Sequence, residues 1–550
     1  MRNKTTLFVI ILPLFLMVLN FIIKGIFLNA NSIAGDEPFS IYYAQMNVLD
    51  IIRLLSSGNN PPFYEIILHF WIKLFGISAF SVRSLSLIFS SITVLYIYKI
   101  GTKFFNNRIA IYSSLFFIFS NYHTIFAHEA RVYAFLGLLS IMSFYYFLKI
   151  IINNDTNKYT LFKFVSISIL LIYSHYFGFF ILFIQNSYVL FKKQLILKYG
   201  KISLFIGMII LLFYIPNIKS IIYRFLDSSM NGTWVKPVYN LGNFHDVFYL
   251  FLNNNTILYV LFISILWIKL SKLTYKSDLN KKLKISVIFV LCIMFLTSIS
   301  IFVDMPFIWK LTSNIKYIIL FLLIIVGVSI LFVFTNKVKI TNTVEIILYW
   351  FLGLIVFMFF ISLNFLPFKV PMFYDRYLMV LAIAFILLLG IMVDTFIKRK
   401  YYRYITPVIF IVLFFLTTNP NISNKRNVKE MMEIVKKLKE TNTIVYFCPS
   451  WFDLNFVYYY NFEWFKNYDN QPIKRKLHKY MSADNIYPID NKNQIDTIKL
   501  KEFNTIIYID AGAGFSFPKN GICEKLNGIS ISNQKYEFYE MFKVYEYQLK

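Results

Sequence analysis

The chain has 550 residues, of which 58% are hydrophobic, 20% aromatic and only 15% charged, with a mean hydropathy of +0.60. A soluble surface calls for roughly 25% charged residues, so this chain cannot be wetted all round, and its wealth of Leu, Ile, Val and Phe with three cysteines excludes disorder, collagen and a disulfide scaffold. The net charge of +27 would suggest a nucleic-acid partner in a soluble protein, but the basic residues fall in short clusters between apolar stretches, as in a polytopic α-helical membrane protein.

Apolar segments of the length that crosses about 30 Å of hydrocarbon begin with Leu7–Leu28. That run exceeds the apolar core of a cleavable signal peptide and reads as a retained helix. The longest polar connection follows, residues 29–78, with Gly35-Asp36-Glu37-Pro38, an amphipathic run Ile41–Leu55, then Asn59-Asn60-Pro61-Pro62 and an aromatic helix through Tyr64, His69 and Trp71. Neither helix is apolar enough to span, so both are expected along the membrane face. Further spans are expected near Ala79–Ile100, Ile109–Tyr122, Tyr133–Ile152, Phe164–Tyr176, Phe177–Phe191 and Ile202–Ile215. The series continues with Ile257–Leu270, Ile285–Val303, Tyr317–Phe334, Val344–Leu363, Leu378–Ile397 and Tyr404–Thr417, about thirteen in all.

Every second connection is basic. With Arg2 and Lys4 inside, the inner connections carry Lys99, Lys103 and Arg108, then Lys149, Lys158 and Lys163, then Lys192, Lys193, Lys198 and Lys201, and so on to Lys398, Arg399, Lys400 and Arg403. The alternate ones hold Asp36, Glu37, Glu129, Asp227, Asp246, Asp304 and Asp375. An odd number of spans then leaves the tail outside the cytoplasm, which fits the inner membrane of a bacterium. Only 13 of the 28 acidic residues precede Asn419, so carboxylates in the membrane region form a short roster of functional candidates.

The tail, residues 419–550, has a balanced charge and alternates helix-like and strand-like runs: Val428–Lys439, Thr443–Cys448, Thr505–Asp510 and Tyr536–Tyr547. It is expected to be a soluble α/β domain following a membrane domain of residues 1–418. Cys448 ends an apolar strand and reads as a buried thiol, although a bridge to Cys523 is open outside the cytoplasm. Ala511-Gly512-Ala513-Gly514 lacks the Lys or third Gly of a phosphate-binding loop and reads as a turn.

Seven pieces in consistent order carry a family resemblance: Asp36-Glu37 after the first helix, Pro61-Pro62-Phe63-Tyr64, Lys73-Leu74-Phe75-Gly76, Glu129-Ala130-Arg131-Val132-Tyr133-Ala134, Tyr173-Ser174-His175-Tyr176-Phe177-Gly178, Tyr214-Ile215-Pro216 and Asp375-Arg376-Tyr377-Leu378. Over about residues 1–465 the chain resembles glycosyltransferase family 39 and its relatives of the membrane-embedded C-type fold, which include protein O-mannosyltransferases and lipid A aminoarabinose transferases. The resemblance implies transfer of a sugar from a polyprenyl-phosphate donor to a lipid, glycan or protein acceptor at the outer face, with inversion at the anomeric carbon. It implies no nucleotide cofactor and leaves a divalent metal open. The alternative is a surface-polysaccharide ligase or polymerase using lipid-diphosphate donors.

The chemistry can be argued from the residues themselves. A hydroxyl nucleophile needs a carboxylate to accept its proton, and Asp36 beside the bilayer boundary is the first candidate, ahead of Glu37. The competing reading makes Asp36 a helix N-cap before Pro38. Phosphate leaves with growing negative charge, and a guanidinium can grip two of its oxygens. Arg131 and Arg376 are the candidates, with Tyr374 as an additional hydroxyl. Glu129 could orient Arg131, hold the acceptor or assist a metal. Asn60 stands where relatives often place His or Lys, adding a hydrogen bond without charge. His128 follows His123 by five residues, which does not stack two imidazoles on one helical face. No metal site is convincing on that spacing, and His128 is retained only as a substrate-binding candidate.

Overall fold

The computed structural model describes residues 10–56, 60–231, 242–276, 341–362, 373–397, 402–422, 426–466, 473–495, 499–538 and 542–549. The expected spans Ile285–Val303 and Tyr317–Phe334 lie outside these residues.

The first helix, α1 (Leu12–Gly25), has Pro13 in its opening turn, where the missing N–H is harmless. The amphipathic run expected as one helix is two, α2 (Glu37–Ala44) and α3 (Val48–Leu55). Asn47 divides them by capping α3, its Oδ1 accepting from the Asp50 amide at 2.9 Å. On α3, Ile51 and Leu55 are buried while Leu49, Ile52 and Leu54 are exposed, so an apolar edge faces outward. Next, α4 (Phe63–Phe75) stops at Gly76, whose φ of +78° suits glycine. Ser78 then caps α5 (Ala79–Phe104).

From α5 the chain reverses through Asn106, the cap of α6 (Asn107–Ile118). A Cβ on Gly101 would fall 2.4 Å from the Ala110 Cα, so the two backbones touch there and only glycine fits. A bend of 61° separates α6 from α7 (Asn121–Ala127). A loop, residues 128–132, joins α7 to α8 (Tyr133–Asn153).

Four described helices are long and apolar enough to cross a membrane: α5, α8, Lys193–Tyr223 and Asp375–Asp394. The bent α6–α7 pair adds a fifth if counted as one span, and Leu12–Gly25, Gly178–Leu190, Asn342–Met358 and Ile405–Thr417 are shorter apolar helices. The protein is an integral membrane protein. At the end of the bundle away from Asp36, Arg108 Nε lies 2.7 Å from Asp394 Oδ1 and Lys192 Nζ lies 2.5 Å from Glu345 Oε1.

The tail builds a five-stranded sheet, ordered β2 (Ile486–Pro488), β1 (Thr443–Cys448), β3 (Thr505–Ala511), β5 (Phe542–Leu549) and β4 (Ser530–Glu537). The first three are mutually parallel, and β5 and β4 add antiparallel partners. The expected single run Tyr536–Tyr547 is instead the end of β4 and most of β5. Because β4 is polar and nearly all exposed, it shows no apolar alternation for a sequence reading to find. At Gly512, Asp510 Oδ1 accepts the amides of Gly512 and Ala513 at 3.0 and 2.8 Å. The protein's own carboxylate thus fills the concavity that an anion would take. Cys448 is buried, and both it and Cys523 are free thiols.

Candidate functional site

Asp36 occupies the cap position of α2, immediately before Glu37 and Pro38, yet its side chain makes no capping bond. Its Oδ2 instead accepts from Arg376 Nη1 at 2.5 Å, across 340 residues of chain. The same Nη1 donates to the Tyr133 hydroxyl at 3.2 Å. The guanidinium carbon lies 5.6 Å from the Tyr133 ring and 5.3 Å from the Tyr374 ring, close enough for both rings to favour the cation. Asp36 remains 49% exposed and Arg376 20%, so both groups of this pair are open to a ligand. Burial works against the Asp36 carboxylate, but Arg131, Arg376 and Arg426 outweigh it and hold its pKa below the usual range.

Arg131 lies on the loop between α7 and α8. Its Nη1 donates to Ser40 Oγ at 2.5 Å and lies 3.6 Å from Glu65 Oε1. Ser40 Oγ in turn donates to Glu65 Oε1 at 2.7 Å, so α2 and α4 jointly aim the guanidinium. Among the described residues the buried Arg131 Nε has no hydrogen-bond partner, an unsatisfied donor beside the Asp36 cluster. The nearby carboxylates hold the Arg131 pKa above its ordinary value despite burial.

Glu129 is half-buried on the same loop, and its carbonyl accepts the Arg131 amide at 2.8 Å. Burial pushes its carboxyl up to about 7, Arg376 pulling it down while Glu37 and Asp36 push it further up. It therefore passes between neutral and charged forms near neutral pH.

Glu37 is placed quite differently from its neighbour. Arg83 donates to it twice, Nε to Oε1 at 2.8 Å and Nη2 to Oε2 at 2.7 Å. The remaining Arg83 donors go to the carbonyls of Leu28, Asn31 and Ser32. Glu37 Oε1 also accepts the Ala130 amide at 2.9 Å and Oε2 the Ala34 amide at 3.3 Å. With both side chains 2% exposed, this carboxylate is saturated and ties α2, α5 and the Glu129–Arg131 loop together. Glu37, the second-ranked candidate base of the sequence reading, is thus placed in a fully paired, buried position, while Asp36 is in an open one.

His128 is buried, with one ring nitrogen engaged by backbone. Its Nε2 meets the Lys24 carbonyl at 2.5 Å, and burial drops its pKa to about 4, so the ring is neutral and cannot serve as a phosphate cation. His69 and His175 are likewise engaged with backbone, Nδ1 of His69 with the Ala44 carbonyl at 2.9 Å and Nδ1 of His175 with the Phe177 amide at 3.1 Å. Asn60 is half-buried just before α4, and Tyr374 is 36% exposed beside Arg376. Among the described residues, no three His, Cys, Asp or Glu side chains gather to hold a metal ion.

Four participants were not singled out in the sequence: Ser40, Glu65, Arg83 and Arg426. Glu65 is the lone carboxylate of an aromatic helix and Arg83 a lone cation near the start of a span, so scarcity of charge was an available signal for both.

Comparison with known proteins bears on this region directly. Residues 59–219 match the family described as dolichyl-phosphate-mannose-protein mannosyltransferase. Curated proteins yield no match. Among solved structures, the chain is similar to ArnT from Cupriavidus metallidurans in the apo state, at 12% identity and a TM-score of 0.43, covering 99% of this chain and 98% of that one. ArnT bound to undecaprenyl phosphate gives 11% identity, a TM-score of 0.42 and 97% of each chain. The oligosaccharyltransferase AglB from Archaeoglobus fulgidus, in complex with an inhibitory peptide and a dolichol-phosphate, gives 11% and 0.45, covering 97% of this chain and 74% of that one. The segment that holds Glu65, Arg83, Glu129 and Arg131 is thus similar to the dolichyl-phosphate-mannose-protein mannosyltransferase family.

Proposed function

We propose that this enzyme moves a sugar from a polyprenyl-phosphate donor to a hydroxyl acceptor at the outer face of the membrane, with inversion. One observation carries the reading: a carboxylate at a helix cap position forgoes its cap and meets an arginine from 340 residues away, both groups staying open to solvent. Such a pair suits a site where a base and a phosphate cation must stand side by side.

The resting pair also sets an order of events. While Arg376 holds it, Asp36 is a weak base. An arriving donor phosphate competes for the guanidinium, and Asp36 gains basicity as its cation turns away. Asp36 then takes the acceptor hydroxyl proton as the acceptor oxygen attacks the anomeric carbon. The bond from that carbon to the phosphate oxygen breaks on the opposite side, and its electron pair leaves with the polyprenyl phosphate. Arg376 and Arg131 bear the charge that develops there, with Tyr374 at the edge. The proton passes from Asp36 to water.

The basic inner connections support an orientation with Asp36 outside, and two contacts support a tail lying over that end: Asn455 Nδ2 donates to the Gly35 carbonyl at 2.9 Å and Gln45 Nε2 to the Phe465 carbonyl at 3.2 Å. Incubation of the purified enzyme with polyprenyl-phosphate sugars, followed by mass spectrometry of the lipids, tests the reading. Release of a polyprenyl monophosphate is expected. Consumption only of lipid-diphosphate sugars would replace it with the ligase or polymerase alternative.

A further inference from the structure

The start of the tail is fastened to the loop that carries Asp36. Asn31 Nδ2 donates to Asn421 Oδ1 at 3.3 Å, the Lys429 amide to Ser32 Oγ at 3.2 Å, and Ser32 Oγ to Glu430 Oε2 at 3.5 Å. Between these contacts stands Arg426. A Cβ on Gly35 would fall 1.8 Å from Arg426 Nη1 and 3.1 Å from its Cζ. The guanidinium therefore occupies the space of a residue-35 side chain, lying against the residue that precedes Asp36. The φ of +65° is what calls for glycine at residue 35.

Charge bookkeeping gives this placement a meaning. The Glu37–Arg83 pair cancels internally. Around Asp36 stand the guanidinium groups of Arg131, Arg376 and Arg426, against the carboxylates of Asp36, Glu65, Glu129 and, beside Arg376, Asp375. Arg426 acts electrostatically on both Asp36 and Glu129. A singly charged phosphodiester arriving beside Asp36 would meet these three guanidinium groups. Arg376 and Arg131 are already shared with Asp36, Ser40 and Glu65, and Arg426 brings a third guanidinium to the same carboxylate.

We propose that Arg426 is a substrate-binding residue: the tail's guanidinium joins Arg131 and Arg376 in holding the substrate phosphate, so that the tail completes the site beside Asp36. This rests on the polyprenyl-phosphate reading above for the identity of the ligand, but the anion site itself does not. The chemistry recognised is a phosphate, whether on a lipid or free in water.

The test measures binding to the full-length protein in detergent, with undecaprenyl phosphate and inorganic phosphate as separate probes. Arg426→Gln is expected to raise the dissociation constant for undecaprenyl phosphate at least about tenfold, the scale of a lost charge-assisted contact. Arg426→Lys should recover part of the loss, since it restores charge but not the forked geometry. The double variant Gln45→Ala with Asn455→Ala loosens the tail while keeping the guanidinium, and should stay within about threefold of wild type. In turnover, Arg426→Gln should also move the acid limb of the pH profile upward, because Asp36 loses a cation. Unchanged affinity in Arg426→Gln overturns the proposal, as does an equal loss in the double variant, which would make Arg426 a docking residue only. Arg426-dependent binding of inorganic phosphate, with no binding of undecaprenyl phosphate, would sink the lipid-donor reading and leave the Arg426 site standing.

Discussion

Asp36 and Glu37 are adjacent carboxylates at the start of one helix, each paired with an arginine from a distant part of the chain, yet the two pairs are built for opposite ends. Glu37 and Arg83 are sealed at 2% exposure, and every Arg83 donor has an acceptor. Asp36 and Arg376 meet through one nitrogen, half in the open. Saturation rather than charge separates them: a buried pair with no spare valence can only hold elements together, whereas a partly satisfied pair can exchange partners with a ligand. The sealed pair fixes the backbone from which the open one works, because Glu37 also holds the amides of Ala34 and Ala130.

The comparison is broken most forcefully at Asp36. Asp36→Asn keeps shape but removes the proton acceptor, and turnover is expected to fall by roughly 10²–10⁴ with the protein still monodisperse in detergent. Turnover near wild type would hand the base role to Glu129. The sealed pair should respond the other way: Arg83→Ala leaves a buried carboxylate without its counter-ion, a loss of about 3–5 kcal/mol that appears as a fall in thermal midpoint and folded yield. A well-folded Arg83→Ala protein with wild-type stability would erase the distinction between the two pairs.

How much of this arrangement the sequence displays depends on how rare each signal is. Asp36, Glu129, Arg131 and Arg376 stand out because charge is scarce near membrane boundaries, and the structure gathers these four into one cluster. That Glu37 differs from Asp36 is invisible in sequence, since it depends on Arg83 arriving from α5 at the right depth. Arg426 sits in a tail rich in lysine, where one more cation says nothing without the Gly35 contact. The split of α2 from α3 is marked in the sequence by Asn47 with Asp50 three residues on. On the tail, Thr443–Cys448 is fully buried and easily read, whereas β4 exposes nearly every side chain and is defined by pairing with β5 alone.

Arg376→Lys sharpens the open half of the comparison. A lysine keeps the charge but cannot reach Asp36, Tyr133 and a phosphate with a fork. A loss of at least about tenfold in turnover, roughly 1.4 kcal/mol of barrier, is expected with membrane insertion unchanged. Wild-type turnover would reduce Arg376 to an interfacial anchor and leave Arg131 and Arg426 to the phosphate.

The smallest expected effect concerns Glu129, which lies between the two pairs and feels both. Burial brings its carboxyl to about 7, so as pH rises through 7 the cluster gains a negative charge close to Arg376. That charge competes with the donor phosphate for the same guanidinium, and donor KM should rise severalfold across this range, a change on the order of 1 kcal/mol or less at partly exposed groups. Stability follows the same sign. The folded protein binds a proton on Glu129 that the unfolded chain has already released above about 4.5, so this group's contribution is complete below that pH and is lost as pH rises to about 7. Glu129→Gln stays neutral throughout, and should flatten both the KM inflection and this part of the stability curve. A Glu129→Gln enzyme whose donor KM still rises through pH 7 would assign the titration to another group, and would leave Glu129 holding the loop through its backbone alone.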